Sequence, residues 1–197
     1  SVTITGTNDV PVIVSEDLVG GVTELVTPTG SLTDTGTITF SDVDLRDTHS
    51  IKPLITASQG ALGTLTASVT TQANDTTGSG GVITWNYSVA ATAVEYLAKG
   101  ETKVETFTIT LDDGQGGTVD RTIRVTVTGT NDIPVIVTED LIGAVTELET
   151  PTGSITDTGT ITFSDVDLLD THNIKPLITA SQETGRAPCR ESASRMV

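Results

Sequence analysis

The chain has 197 residues and a formal net charge of −16, with 26 acidic side chains against 10 Lys and Arg. An acidic excess of this size repels nucleic acid and anionic lipid, so neither is expected as a partner. The repeat described below contains no cysteine, which excludes a disulfide scaffold. No apolar run reaches the roughly 18 residues that a membrane span requires.

A long internal repeat organises the chain. Residues 2–59 return as residues 125–182 with nine substitutions, at the offset of 123 that separates Gly6 from Gly129. This period exceeds the about 20 to 50 residues of solenoid units and matches a whole small domain. We therefore expect residues 1–9 to be the last strand of a preceding repeat, 10–132 a complete repeat, and 133–182 the first part of the next.

The segment 183–197 departs from the repeat. It holds the only Cys and the only Met, and its first residues do not match those that follow Gln59 in the first copy. The string Arg-Ala-Pro-Cys-Arg-Glu also resembles a translated sequencing adapter. We exclude this segment from the fold prediction as an artefact or a frameshift, with a genuine divergent terminus as the alternative.

Alternation of apolar and polar side chains predicts a series of β-strands along the complete repeat. In chain order these strands contain 37–40, 65–69, 83–89, 106–111 and 122–128. Glycine-rich turns separate them at 77–81 and 112–117, and only 93–99 is suited to a helical turn. Trp85 and Tyr87 alternate with polar neighbours and are expected in the core.

About seven short strands without a helical period predict an all-β fold, a tandem Greek-key β-sandwich of the immunoglobulin or cadherin type. A closed barrel is the alternative. The sandwich is favoured because successive repeats must enter and leave at opposite ends, and an odd number of strands allows this.

Acidic groups fall between the strands, where a sandwich places its end loops. They comprise Asn8, Asp9, Asp42, Asp44 and Asp47 in the first copy, and Asn131, Asp132, Asp165, Asp167 and Asp170 in the second. Calcium takes six to eight oxygen ligands, and two carboxylates two residues apart on an extended segment lie on the same side. These residues are therefore predicted to bind calcium, whereas the rival interpretation is a solvated loop with Asx turns.

The joint inside this chain is expected to combine Asn131 and Asp132 with Asp165 and Asp167. Glu16, Asp113 and Glu139 are further candidate ligands, with Glu16 or Asp113 contributing from the first repeat. The first acidic loop is not an EF-hand, because Asp47 stands where that motif requires glycine.

Catalytic constellations are not evident. His49 and His172 lack the glycine pattern of a nucleophile elbow, so they are expected to be structural or surface histidines. Glu101 and Glu105 would need a cleft to act as a glycosidase pair. The sequence therefore predicts that the chain is not an enzyme.

Three long motifs resemble the VCBS repeat of large bacterial adhesins, a relative of the cadherin-like BapA and RapA domains. They are Gly-Thr-Asn-Asp-x-Pro, Phe-Ser-Asp-Val-Asp-Leu-x-Asp-Thr-His and the stretch 97–117 from Leu-Ala-Lys-Gly-Glu to Asp-Asp-Gly-Gln-Gly-Gly. Residues 7–11 with Asp42 and Asp44 also resemble a cadherin joint, although Gly6 stands where cadherins carry Asp.

This resemblance implies tandem immunoglobulin-like domains that bind calcium and are exported by type I secretion to the extracellular space or the bacterial cell surface. The implied role is a calcium-rigidified extender in adhesion or biofilm. Its partners would be neighbouring repeats, with surface glycans or other adhesins as further candidates. The alternatives are a carbohydrate-binding or homophilic adhesive domain, and an accessory domain of a secreted hydrolase.

Overall fold

The computed structural model describes residues 1–150 and 152–175. Eleven strands occur in this part of the chain: β1 Val12–Glu16, β2 Val19–Thr23, β3 Ser31–Ser41, β4 Ser50–Ile51, β5 Thr56–Ala57, β6 Thr64–Thr71, β7 Gly81–Ala90, β8 Thr102–Asp112, β9 Thr118–Thr128, β10 Val135–Glu139 and β11 Ile161–Ser164. The remaining residues of the second copy, 176–182, and the segment 183–197 lie outside the described residues.

The first nine strands form two sheets around one core. One sheet has the order β1-β3-β7-β6 and the other β2-β9-β8-β4, with β5 also paired to β8. The predicted strands correspond to β3, β6, β7, β8 and β9, and their alternate side chains meet in a common hydrophobic cluster. Trp85 and Tyr87 are both 0% exposed, as predicted. The fold is therefore a β-sandwich, and the closed barrel is excluded.

The first extended segment is divided between the two sheets. The strand β1 pairs antiparallel with β3, and after Asp17 and Leu18 the chain crosses over so that β2 runs parallel to β9. The Trp85 indole nitrogen donates to the Asp17 carbonyl at 2.7 Å and so fixes the crossing point. Because β2 and β9 are parallel, both end at the same pole of the sandwich.

Close packing at the crossover requires glycine at one position and tolerates alanine at the next. A Cβ on Gly20 would lie 2.9 Å from the Asp34 carboxylate and 3.1 Å from the Trp85 ring. At Gly21 the nearest atom would be 3.7 Å away, and the second copy has Ala144 at that position.

The connection between β7 and β8 contains a short 3₁₀ turn, Ala91–Ala93, rather than the helical turn expected over 93–99. Val94 and Leu97 from this connection are buried in the core. No helix of the described ranges is long and apolar enough to cross a membrane.

In the second copy, β10 and β11 form a two-stranded antiparallel sheet in the register of β1 and β3. Val135 lies opposite Ser164, just as Val12 lies opposite Ser41. Phe163 is 48% exposed, whereas its counterpart Phe40 is 1% exposed. The described residues therefore show one complete sandwich, and its repetition as a tandem domain stays a prediction.

The assignment of residues 1–9 to a preceding repeat also stays a prediction. Val2 and Ile4 are more than 90% exposed, whereas the matching Val125 and Val127 are fully buried on β9. Residues 1–9 are not part of a strand in the structure.

Candidate metal centre

Two groups of acidic side chains lie at opposite poles of the sandwich. At the first pole β3 ends at Ser41, and the chain continues into a tight acidic loop. Asp42 accepts a hydrogen bond from the Asp44 amide at 2.9 Å, and the Asp47 amide donates to the Asp44 carbonyl at 3.0 Å. These contacts form an Asx turn, which folds the loop so that its carboxylates converge instead of pointing apart into solvent.

The turn between β8 and β9 supplies a third carboxylate at this pole. Asp113 is 0% exposed and accepts hydrogen bonds from the amides of Gln115 at 2.7 Å and Gly117 at 2.9 Å. Its other oxygen accepts from the Asn8 side chain at 2.9 Å. Asp113 thus ties the hairpin turn to the incoming linker.

Asp42, Asp47 and Asp113 together form what we call the loop cluster. One ligand oxygen from each lies within 4.8 Å of the others. Desolvation by burial, followed by the charges of Asp44, Asp42 and Asp113, raises the pKa of Asp47. Burial also acts to raise the pKa of Asp113, but the hydrogen bonds from Asn8, Gln115 and Gly117 outweigh it and hold that pKa below its usual value.

The opposite pole holds the second group, where the chain leaves the complete domain. Glu24 directly follows β2, and its carboxylate accepts a hydrogen bond from the Thr130 amide at 2.7 Å. The connection between β7 and β8 lies beside the start of the outgoing linker, because the Gly100 amide donates a 3.1 Å hydrogen bond to the Gly129 carbonyl. Glu95 lies on that connection. The parallel arrangement of β2 and β9 is thus what brings Glu24 beside the linker.

Glu24, Glu95 and Asp132 have ligand oxygens within 4.8 Å of one another. Asp167, from the second copy, joins them because its carboxylate accepts a hydrogen bond from the Asp132 amide at 2.8 Å. We call these four residues the linker cluster. A second direct contact between the copies lies beside it, from the Leu168 amide to the Tyr96 carbonyl at 3.3 Å.

Each acid of the linker cluster has a buried oxygen that no group in the described part of the chain satisfies. These oxygens are Glu24 Oε1, Glu95 Oε1, Asp132 Oδ2 and Asp167 Oδ1, and Thr130 Oγ1 beside them is also unpartnered. Glu24 and Asp167 are each only 3% exposed. A buried carboxylate oxygen without a partner carries a large desolvation cost, so such a group requires a compensating cation or proton.

The charges of the linker cluster oppose one another. Burial raises the pKa of Glu24, although the Thr130 amide partly offsets this, and the neighbouring acids Glu95, Asp132 and Asp167 raise it further. Burial and then the charges of Asp132 and Asp167 likewise raise the pKa of Glu95. Burial and then the charges of Asp167 and Asp165 raise the pKa of Asp132. Protons or a metal ion would therefore stabilise this arrangement.

The donor set of both clusters consists of carboxylate oxygens, and the Thr130 hydroxyl lies beside the linker cluster. Oxygen ligands of this kind suit hard divalent cations rather than the metals that prefer thiolate or imidazole. Either cluster can hold a metal ion.

The structure brings several of the sequence-predicted ligands together at the two poles. Asp9 donates its amide to the Asp44 carboxylate at 2.7 Å, which matches the contact between Asp132 and Asp167 in the second copy. The Asp170 amide donates to the Asp167 carbonyl at 3.3 Å, and the Asn131 side chain donates to the Asp132 carbonyl. The Asn131 side chain is thereby turned to the backbone of the next residue.

Two further candidates lie outside both clusters. Glu16 forms an ion pair with Arg121 at 2.6 Å, across β1 and β9. Glu139 ends β10 and is exposed. Asp113 belongs to the loop cluster and not to the joint, because its hairpin turn is at the pole opposite the outgoing linker.

Sequence reasoning missed Glu24 and Glu95, whereas of the two roles expected for the histidines, structural or surface, the structure gives His49 the structural one. The two glutamates are single acids without a motif, and only the recurrence of Glu24 as Glu147 marked one of them. His49 is 3% exposed, and its Nε2 lies 2.9 Å from the Asp42 carboxylate. It is thus a buried contact of the acidic loop rather than a surface residue.

Comparison with known proteins adds little to this geometry. No protein-family model matches the chain, and no curated protein matches it. Among solved structures, the N-terminal domain of PorA is similar to this chain with a TM-score of 0.35 and 12% identity, over 60% of this chain and 96% of that one. A TM-score this low carries no argument about fold or function.

Proposed function

We propose that this chain is a calcium-rigidified extender segment of a secreted or cell-surface bacterial adhesin. One observation carries the proposal: four acids from both sides of the linker meet at one pole, and each has a buried oxygen without a partner in the described residues. A divalent cation there would contact both copies at once. Its binding would therefore stabilise the joint in one orientation.

Calcium is the metal that this donor set favours. It accepts six to eight oxygen ligands in flexible geometry, whereas magnesium demands a near-ideal octahedron and keeps several waters. The carboxylates of the linker cluster, with Thr130 beside them, supply several oxygens without any nitrogen or sulfur ligand. In this function the protein's residues hold the ion and fix the linker, and no bond of a substrate is broken.

The adhesive role rests on the motif resemblance and on the mechanical logic of the joint. Acidic domains joined end to end repel one another. Cations that screen or bind the acidic groups reduce this repulsion, so that the domains can adopt a fixed, extended arrangement. The extended array would then project a binding module from the cell, with neighbouring repeats as its partners. Type I secretion and the cell-surface location are part of the same proposal.

A carbohydrate-binding role has less support from the structure. Sugar recognition by this repeat would be expected to use Trp85 or Tyr87 as a stacking surface, but both rings are fully buried. A role as an accessory domain of a secreted hydrolase predicts the same joint and is distinguished by the domains that accompany it.

The test measures the joint directly. Spin labels at Thr102→Cys and Val137→Cys, in a chain carrying Cys189→Ser, report the distance across the linker. We expect a narrow distance distribution in calcium and a broad one in EDTA, with magnesium at the same concentration having a smaller effect.

Asp132→Asn combined with Asp167→Asn serves as the site variant, and Glu139→Gln is the matched control because it removes an acid that lies outside both clusters. The double variant should show the broad distribution in calcium, whereas the control should behave as the unsubstituted chain. Equal distributions in calcium and EDTA for the unsubstituted chain would refute the proposed function.

A further inference from the structure

A chain of three hydrogen bonds connects a histidine to the linker that enters the complete domain. His49 Nε2 lies 2.9 Å from one oxygen of Asp42, and the other oxygen of Asp42 accepts from the Asp44 amide at 2.9 Å. The Asp44 carboxylate then accepts from the Asp9 amide at 2.7 Å. We assign the hydrogen of this contact to the histidine Nε2, because a carboxylate acts as the acceptor.

The second copy repeats this chain of hydrogen bonds at the joint. His172 Nε2 lies 2.8 Å from Asp165, Asp165 accepts from the Asp167 amide at 3.1 Å, and Asp167 accepts from the Asp132 amide at 2.8 Å. The hydrogen bond from His172 is also the largest cause that holds the pKa of Asp165 below its ordinary value. The two chains of contacts differ by a few tenths of an ångström at most.

Aromatic packing holds the two histidine rings in the same orientation. His49 lies 4.8 Å from the Phe40 ring with an interplanar angle of 55°, and His172 lies 4.8 Å from Phe163 at 56°. The Gln72 side chain also accepts a hydrogen bond from the His49 amide and donates one to the His49 carbonyl. The His172 side chain is 28% exposed and yet keeps the same geometry. The local motif, rather than burial by the rest of a domain, thus determines the arrangement.

These contacts decide which oxygen remains free for a cation. Both oxygens of Asp165 are engaged, one by His172 and one by the Asp167 amide, so its carboxylate cannot rotate without breaking a contact. Asp167 is thereby oriented with one oxygen toward the Asp132 amide and the other, Oδ1, unpartnered. The histidine contacts no oxygen of the linker cluster itself, and it acts through Asp165.

We propose that His172 is a positioning residue for the linker cluster, and that His49 has the same role for the linker that precedes the complete domain. By fixing Asp165, His172 determines the orientation of Asp167. In this orientation one oxygen of Asp167 accepts the hydrogen bond from the Asp132 amide, and the other is free to bind a cation. This inference rests on the proposed function for the identity of the bound cation. Outer residues that orient metal-binding side chains typically contribute about 10- to 100-fold to metal affinity.

Two variants of the full chain separate the hydrogen bond from the packing of the ring. His172→Phe keeps an aromatic ring against Phe163 but removes the donor, whereas His172→Gln keeps a donor at a similar reach. Asn173→Ser is the matched control, because Asn173 is the exposed neighbour and the first copy already carries Ser50 at that position.

We measure calcium affinity by titration calorimetry and the spin-label distance across the linker in EDTA. His172→Phe should weaken calcium binding at the linker cluster by about 10- to 100-fold and broaden the distance distribution in EDTA, because Asp132 loses its anchor. His172→Gln should recover most of both, and Asn173→Ser should change neither. Melting of the complete domain in EDTA should be the same in all four chains, since the described core includes no residue after Val127.

The outcomes that overturn this inference differ from those that overturn the proposed function. If the unsubstituted chain binds calcium and His172→Phe binds it equally well, His172 does not position the cluster. An equal loss in His172→Phe and His172→Gln would assign the effect to ring packing and refute the inference as well. If the unsubstituted chain binds no calcium, the proposed function fails, and an unchanged EDTA distribution in His172→Phe would then refute the positioning role separately.

Discussion

The substitution Glu24→Gln separates charge repulsion from cation binding, because the two effects have opposite signs. The Gln carbonyl can still accept the hydrogen bond from the Thr130 amide, so the local backbone contact is kept. The variant removes one negative charge from the linker cluster and one strong calcium ligand. We therefore expect a more stable protein in EDTA and a smaller gain from calcium.

The size of the repulsive effect follows from the geometry. The ligand oxygens of Glu24, Glu95 and Asp132 lie within 4.8 Å of one another. At that separation one like-charge pair costs about 1 kcal/mol at the dielectric constant of water and about 3.5 kcal/mol at an effective value of about 20. Glu24 is only 3% exposed, so the lower figure is a minimum for the repulsion that is removed. For a domain of about 120 residues, this minimum raises the melting temperature in EDTA by about 4 °C.

The loss of calcium stabilisation is larger. At a free calcium concentration of about 100 times the dissociation constant, binding stabilises the folded protein by about 2.7 kcal/mol, or about 10 °C in melting temperature. If the loss of one carboxylate weakens binding about 30-fold, the remaining gain is about 0.9 kcal/mol, or about 3 °C. The calcium-induced rise should thus shrink to about a third.

The assay is differential scanning calorimetry of both chains in EDTA and in calcium. Glu16→Gln is the matched control, because Glu16 belongs to the same domain but pairs with Arg121 outside the clusters. Its effect on melting should be the same in both media. An equal calcium-induced rise for Glu24→Gln and the unsubstituted chain would refute the reasoning.

Three further predictions concern packing, a buried acid and pH. Gly20→Ala should lower the free energy of unfolding, measured by urea denaturation, by about 1 to 3 kcal/mol because the added Cβ is crowded. Gly21→Ala should leave it unchanged or raise it by about 0.4 to 1 kcal/mol. Equal losses in the two variants would contradict this packing. Glu105 is 0% exposed and accepts hydrogen bonds from two backbone amides and the Tyr87 hydroxyl. Glu105→Ala leaves these three buried donors unpaired at about 1 to 3 kcal/mol each and should lower the free energy of unfolding by about 3 to 5 kcal/mol, and Glu105→Gln should lower it by less. For pH, a carboxyl whose folded-state pKa is raised opposes folding above that pKa, and the opposition is relieved as pH falls through it. In EDTA the electrostatic cost at Glu24 and Glu95 should therefore shrink as pH falls from 7 toward their raised pKa values, which lie above the ordinary 4.5. Calcium affinity should weaken over the same interval because protons compete, and affinity independent of pH there would contradict the assignment.

Much of the fold was predictable because the repeat is made of strands with a clear period of two. Ile83 to Val89 alternate with Thr84, Asn86 and Ser88, and this pattern alone predicts which side chains enter the core. The hairpin turn at Asp112 to Gly117 was predictable for the same local reason, since glycine there adopts positive φ at Gly114 and Gly116. The divided first strand was not predictable, because Val12 to Thr23 has no signal for a change of sheet.

The acids of the loops and linkers were also predictable as candidates, since they lie between strands and recur in both copies. Their grouping was not. Glu24 follows one strand and Glu95 lies in a turn, and neither is part of a motif that marks a ligand. They lie close to Asp132 only because β2 and β9 run parallel and because the connection between β7 and β8 folds back beside the linker that follows β9.

The sequence by itself determined the β-rich repeat, its core-facing side chains and the acidic composition of its ends, because alternation, turn chemistry and charge are local properties of the chain. Only the tertiary structure decided which acids share a site, which oxygens stay unpartnered, and that a histidine lies behind each acidic loop. Those properties depend on contacts between residues far apart in the chain. Sheet order and strand direction determine such contacts, and neither can be read from the residues on either side of the contact.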